Sequence, residues 1–366
     1  MKRLSILILF FSLLISCSEH NDIFINNKTI SVIDSIQISG SNLDFDNYFN
    51  RKIVFHNPHS FSVYIYDFDS NTTKTFNHFG NNIDDHGYIL KNINIINDTT
   101  IAIGKPKSIN LYNINGKFIK RLTIKKDKQS HPPISNILFI NDSLIAYRQT
   151  GMGNTADPDT YKLNEFIGRI YHLKKGIINR FGQFPEKESV YHDTKYFYCY
   201  PFMFTFRKDK DYIYTLSWND PNVYQYKINT GNLTDIYKLK LNNYVAYKTN
   251  FTEGSQLDIN KIIFGNYQNS EMYNFDINNK SIFIAYNKGF SKDNALDAIK
   301  NDAEKQNYLH IRSRSGKILF DNRLPKYLGK FMFEEQGYLY FLGENTEKSE
   351  NENYSMIYKA KLIDKK

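Results

Sequence analysis

Apolar and polar residues alternate along most of this chain in runs of five to seven, and the runs come in pairs divided by turn residues. The stretch 97–124 displays the pattern most fully. Asn97-Asp98-Thr99 precedes a run over 100–104, Lys105-Pro106-Lys107 a run over 108–113, and Asn115-Gly116-Lys117 a run over 118–124. Period two is the signature of a β-strand, whose side chains point alternately to opposite faces. Asn-Gly between two such runs is a strong hairpin signal, because both turn positions call for positive φ. The central pair of runs recurs five more times, as 52–56 with 63–67, 144–148 with 168–172, 212–217 with 223–227, 282–287 with 309–314 and 338–343 with 355–360. The pairs start at 52, 100, 144, 212, 282 and 338, so the unit is roughly four strands long with insertions.

Naming the strands of a unit A to D, the recurring pair is B and C. Candidate A strands are 45–49, 89–96, 134–140, 200–206, 270–275 and 327–333. Candidate D strands are 73–79, 118–124, 177–181, 233–239 and 317–320. The sixth unit lacks a D strand of its own, and 29–38 (TISVIDSIQI) is a spare strand able to close a ring beside the last C strand and remove an exposed edge. One stretch departs from period two. In 293–306, Ala295, Leu296, Ile299 and Ala303 share a helical face, which predicts one short helix inside the fifth B–C connection. A β-sandwich or two β domains is the alternative, but six B–C hairpins without an evident linker favour one ring. The unit pattern resembles six-bladed β-propellers of the NHL and TolB-like type. The expected fold is all-β: a single six-bladed propeller over 29–366, closed by its N-terminal strand.

The first residues change the picture of where such a ring works. Lys2-Arg3 precedes an apolar run from Leu4 to Ile15, then Ser16 and Cys17. The run is too short for a bilayer span, which takes about 20 residues, and reads as a secretory leader. Leu14-Ile15-Ser16-Cys17 resembles the lipobox of bacterial lipoproteins. That resemblance implies a signal peptide over 1–16, a lipidated Cys17 at the head of a tether over 17–28, and a likeness to the propeller lipoproteins of Bacteroidota. Ser18 stands where an aspartate would resemble an inner-membrane retention signal, so the expected address is the outer membrane. Lipidation of Cys17 leaves Cys199 the lone thiol of the 2 cysteines, and the fold rests on its core without an intramolecular disulfide. The 28 Tyr and 28 Phe suit half-buried pleated surfaces. The formal charge of +9 is scattered along the chain, which argues against a nucleic-acid footprint.

Candidate chemistry is sparse. Asp67-Phe68-Asp69-Ser70-Asn71 opens like a calcium loop, but Thr72 and His78 stand where glycine and glutamate belong, and the stretch reads as a C–D turn. His56 and His59 flank Asn57-Pro58, a turn. Asp84-Asp85-His86 is a weak candidate cation site. There is no nucleophile elbow. Cys199 lies in an aromatic run typical of an inert core thiol, and Gly151-Met152-Gly153 lacks the rest of a dinucleotide motif. No catalytic residue, metal set or cofactor is therefore expected. The informative feature is topological. The long insertions, 149–167, 288–308, 344–354, 125–133, 182–199 and 240–269, are all B–C or D–A connections, which emerge on one face. Arg148, His192, Tyr196 and Trp218 lie in or beside such connections and are the candidate binding residues. The expected function is a lipid-anchored envelope propeller that binds a glycan, a peptide or an envelope protein on that face. The alternative is a propeller lyase or hydrolase acting at the central channel.

Overall fold

The structure is a computed structural model that describes residues 27–80, 82, 84–86, 93–105, 108–124, 135–148, 166–183, 204–218, 220–245, 267–301, 303–343 and 354–365. The chain opens with β1 (Lys28–Ser39). Blade one follows as β2 (Asp44–Phe49), β3 (Lys52–His56), β4 (Val63–Asp67) and β5 (Thr72–Phe76). Blade two is β6 (Ile93–Asn97), β7 (Thr100–Lys105), β8 (Ser108–Asn113) and β9 (Phe118–Thr123). Blade three is β10 (Ser135–Asn141), β11 (Leu144–Arg148), β12 (Phe166–His172) and β13 (Gly176–Gln183). Blade four is β14 (Phe204–Asp209), β15 (Tyr212–Ser217), β16 (Asn222–Lys227) and β17 (Leu233–Lys238). Blade five is β18 (Glu271–Ile277), β19 (Ser281–Lys288), β20 (Gln306–Ser313) and β21 (Ile318–Arg323). Blade six is β22 (Lys330–Glu335), β23 (Tyr338–Leu342) and β24 (Tyr354–Asp364), completed by β1.

Every pairing is antiparallel, and the first strand of each blade lies innermost. β1 pairs with β24 from Lys28↔Asp364 to Ser39↔Tyr354, so the first strand closes the ring against the last, as the spare N-terminal strand predicts. A register shift lies within the A–B pair of blades one, two, three, five and six, whereas β14–β15 of blade four runs straight. Such bulges bend a strand and re-aim a side chain. Here they fall on the strands that line the axis.

Alternation has a direct consequence for the core. Apolar side chains on the two faces of each blade pack against the blades on either side, and the buried apolar residues among those described fall into six clusters, one per interface. Val54, Ile65, Ile93, Ile101 and Tyr112 fill the interface between blades one and two. Ile38, Ile53, Phe55, Phe333 and Tyr340 fill the one between blades six and one, where the ring closes. At that closure Tyr48 stacks on Phe333 at 3.9 Å and Phe333 on Tyr340 at 4.6 Å between centroids.

Two local readings are corrected. The Asn115-Gly116 turn is a four-residue connection in which Gly116 alone takes positive φ (+84°), and Asn113 Oδ1 accepts from the Asn115 and Lys117 amides. The added residues introduce a bulge between Leu111 and Tyr112, so one left-handed position suffices. Two-residue turns with both φ values positive occur instead at Asn50-Arg51 and Gln336-Gly337. The helix α1 (Lys292–Lys300) is shorter than 293–306. The Ser291 side chain caps its start, and the chain leaves the helix at Asn301 to begin β20 at Gln306. Ala295 and Ala298 are buried, Ile299 is half-buried and Leu296 is exposed, so the packed face is 295, 298 and 299.

Candidate binding face

Antiparallel strands put A–B and C–D connections at one end of each blade, and B–C and D–A connections at the other. At the plain end the A–B turns take two or three residues and the C–D turns three to five. At the other end β11 and β12 are separated by residues 149–165, β17 and β18 by 239–270, and β19 and β20 by a connection that carries α1. Loop length is thus concentrated on one face.

Arg148 and Trp218 sit at this end, one blade apart. Arg148 is the last residue of β11 and is half-buried. Burial pushes its guanidinium down to about 10, so it is a poorly solvated cation at neutral pH. Trp218 follows β15 and is also half-buried. Its carbonyl accepts from the Met272 amide of blade five at 2.8 Å. The turn that carries it is held from below by buried Asp220, whose carboxylate accepts from Asn222 Nδ2 and the Tyr224 hydroxyl, each at 2.7 Å. His192 and Tyr196 lie outside the described residues, as do Cys17, Cys199 and Gly151-Met152-Gly153.

The other candidate constellations have structural duties. Asp67 Oδ1 accepts from the Asp69 and Ser70 amides, which makes the stretch the C–D turn its composition suggests. His56 Nδ1 lies 2.6 Å from Asp46 Oδ2, while His59 is held through its amide by Asn57 Oδ1. The His56 imidazole is thus engaged by a carboxylate of the innermost strand. In Asp84-Asp85-His86, the Asp85 carbonyl accepts from Lys105 Nζ and Asn110 Nδ2, the Asp84 carbonyl accepts from the Tyr112 hydroxyl, and His86 Nε2 accepts from the His78 amide. The segment pins its connection onto blade two. No group of three or more potential metal ligands occurs among the described residues.

A polar collar around the axis was missed by the sequence reading. Side chains of innermost strands reach the backbone of the next innermost strand. Asp46 and Asn47 of blade one accept from the Ile93 and Ile95 amides of blade two. Asn274 of blade five donates to the Phe331 and Met332 carbonyls of blade six at 3.1 and 2.6 Å, and Asp276 Oδ2 accepts from the Glu334 amide at 2.7 Å. Arg207 of blade four donates to Asn274 Oδ1 at 2.7 Å, and Lys208 donates to the Ile140 carbonyl of blade three at 2.6 Å. Burial raises Asp276 to about 6, against the Arg207 charge that pulls it down, and burial lowers Arg207. Burial also raises Asp46 despite its His56 partner. The available signal was a polar residue recurring in A strands whose neighbours are apolar.

Six four-stranded blades around a polar axis, with one elaborated face, make this chain a six-bladed β-propeller. No protein-family model and no curated protein matches it. Among solved structures, a candidate exported protein of Bacteroides fragilis is similar over 95% of this chain and 98% of its own, at 13% identity and a TM-score of 0.55. The Neurospora crassa Pan2 WD40 domain matches at 7% identity and a TM-score of 0.47, over 91% of this chain and 96% of its own. Regucalcin from Agrobacterium tumefaciens, a calcium-binding protein, matches at 10% identity and 0.44, over 88% and 92%. At these identities the likeness is one of fold, and function has to be argued from sites.

Proposed function

We propose that this chain is a lipid-anchored envelope propeller that captures a partner, a glycan, a peptide or another envelope protein, on the face carrying the B–C and D–A loops. The one-sided placement of loop length carries the reading, because binding residues concentrate on loops held by a rigid scaffold. Arg148 and Trp218 supply the residue types that dominate interface energetics. The collar charges are engaged in blade-to-blade bonds, which favours loop-borne binding over chemistry in the channel. The leader and Cys17 supply the anchor, at the outer membrane. Among the described residues no helix is long and apolar enough to cross a membrane. The Bacteroides fragilis neighbour, named as exported, agrees with an address beyond the cytoplasm.

The anchor is tested by fractionation. Cys17→Ala is expected to move the protein from the membrane pellet to the soluble fraction, and retention in the pellet after a high-salt wash would refute lipidation. The face is tested by Trp218→Ala and Arg148→Ala. Both variants are expected to melt within about 1 kcal/mol of the parent, as half-buried loop-end residues do. Each is expected to weaken a partner recovered by envelope cross-linking or a glycan array by roughly 2 kcal/mol, about thirty-fold. Unfolding of both would make these side chains packing residues.

A further inference from the structure

The plain face has a feature of its own at the point where the ring closes. Blades six and one diverge there and leave a groove of about 500 Å³, walled by Asp34 of β1, Tyr340 and Lys359 of blade six, and Arg51, Phe68 and Asn71 from the turns of blade one. That volume lies within the range of small-molecule clefts. The site is separate from the loop face and does not depend on it.

The chemistry of its wall is mixed, and its charges are largely compensated from within. Arg51 Nε lies 2.5 Å from Asp69 Oδ1, and Arg51 Nη1 lies 4.0 Å from Glu335 Oε2. Lys359 Nζ rests 4.2 Å above the Tyr338 ring, and its charge only partly offsets the burial that raises the Glu335 carboxyl. Two cations thus face Asp34, Asp69 and Glu335, and the groove offers no excess of positive charge to a free anion. Its floor is aromatic. Tyr66 meets Phe68 edge-on at 5.1 Å, and Phe68 meets Tyr340 edge-on at 5.4 Å. Tyr66 and Tyr340 are buried and Phe68 is half-buried with the Arg51 guanidinium 5.7 Å from its centroid, so the part of the Phe68 ring left open lies beside that cation. The Tyr66 hydroxyl donates to Asn71 Oδ1 at 2.5 Å, which fixes the Asn71 amide and leaves its Nδ2 as donor. Burial and Glu335 push the Tyr340 phenol up to about 12, so it remains a neutral donor. Asp34 is exposed and supplies an acceptor.

We propose that this seam groove is a saccharide site, in which the C–H face of a sugar ring packs on Phe68 and its hydroxyls bond to Asp34, Asn71 and Arg51. A sugar fits because its hydroxyls both donate and accept, its ring presents an apolar face to an aromatic one, and it carries no net charge for the groove to neutralise. The placement has a thermodynamic consequence. Asp34, Tyr340 and Lys359 belong to the blade that closes the ring, and Arg51, Phe68 and Asn71 to the blade it closes against. A ligand bound there binds only the closed ring and so stabilises the fold.

The test is saturation-transfer NMR and thermal melting of the mature chain with cellobiose, lactose, maltose and chitobiose, and with inorganic phosphate in parallel. At least one disaccharide is expected to give transfer and to raise the melting temperature by about 2 °C at saturation. Phe68→Ala and Asp34→Ala are each expected to weaken that disaccharide about ten-fold, the counterpart of about 1.4 kcal/mol, whereas Trp218→Ala leaves it unchanged. Asp34 is exposed, and the one described hydrogen bond of its side chain is accepted from the amide of Ser35, so its variant keeps the test decisive if Phe68→Ala does not fold. Absence of transfer from every disaccharide, a response to phosphate alone, or binding unaltered in a folded Asp34→Ala protein would each overturn the assignment. Loss of binding in Trp218→Ala with retention in Asp34→Ala would move sugar recognition to the loop face.

Discussion

A chain lacking residues 28–39 is expected to lose its cooperative melt at ordinary temperature and to aggregate. β1 contributes the whole outer strand of blade six, paired with β24 over eleven matched positions. It also buries Ile38 in the interface between blades six and one, and packs Ile30 and Val32 against the interface between blades five and six. Fully burying one such aliphatic side chain contributes about 1.5–3 kcal/mol. Loss of several, with a complete ladder, reaches the 5–15 kcal/mol by which a domain is stable at all. The strand left behind is worse than merely unpaired. β24 would present eleven residues (Tyr354–Asp364) of free edge to a second molecule. The check is a paired melt and light-scattering measurement on the parent and the deletion. An unchanged midpoint and a monodisperse deletion protein would refute closure by this strand. Adding back a 28–39 peptide is expected to restore part of the melt, since the missing strand is not covalently required.

The same strand illustrates what could be read in advance. TISVIDSIQI alternates, stands apart from any partner nearby in sequence, and precedes a set of hairpins that ends one strand short. Those facts together imply ring closure without any knowledge of contacts. The B and C strands were legible for a related reason. Both are buried on two faces between neighbouring blades, so 52–56, 144–148 and 212–217 were placed at or within one residue of β3, β11 and β15. Innermost strands were harder, because bulges interrupt their alternation. The run 327–333 was expected as one strand, but Lys326–Leu328 form a 3-10 turn, and β22 starts only after Gly329 has taken a positive φ of 62°. The helix end was missed because Asn301 stops it with a weak cap, where a glycine would have marked the boundary.

Sites were less legible than strands, for a geometric reason. Arg207, Asn274 and Asp276 converge only because blades four, five and six share an axis, and nothing in a stretch of sequence near residue 207 announces residue 274. The seam groove has the same origin: Asp34 and Lys359 are neighbours solely through the β1–β24 pairing. By contrast, the one-sided loop distribution could be counted directly from strand spacing, and the described elements bear it out. What the count could not supply was the support beneath the loops. Asp220 under the Trp218 turn and the Asp84-Asp85-His86 anchor on blade two both use polar residues to fix connections, and in sequence such residues look like ligands.

The collar leads to a prediction in which the sign matters. Asp276 holds its proton up to about pH 6 in the folded ring, because burial outweighs the attraction of Arg207, while an unfolded chain releases it near the ordinary aspartate value of 3.8. Between those limits the folded state binds more protons than the unfolded one. Stability therefore falls as pH rises through this window and levels off above it. A difference of about two units is worth roughly 3 kcal/mol, an upper figure for one group. Asp46, raised by burial in the same direction, adds to the slope. The protein is thus expected to melt higher at pH 4.5 than at pH 7 as far as these axial carboxyls govern it. Asp276→Asn is expected to remove most of that slope. The amide oxygen can still accept the Glu334 amide, but its Nδ2 faces the Ile277 amide that Asp276 Oδ1 accepted, so some of the gain at neutral pH is given back. The pH dependence of melting, rather than its absolute level, is therefore the measure. A variant whose melting midpoint falls between pH 4.5 and 7 as steeply as the parent's would show that Asp276 is ionised in the folded ring throughout, with Arg207 outweighing its burial.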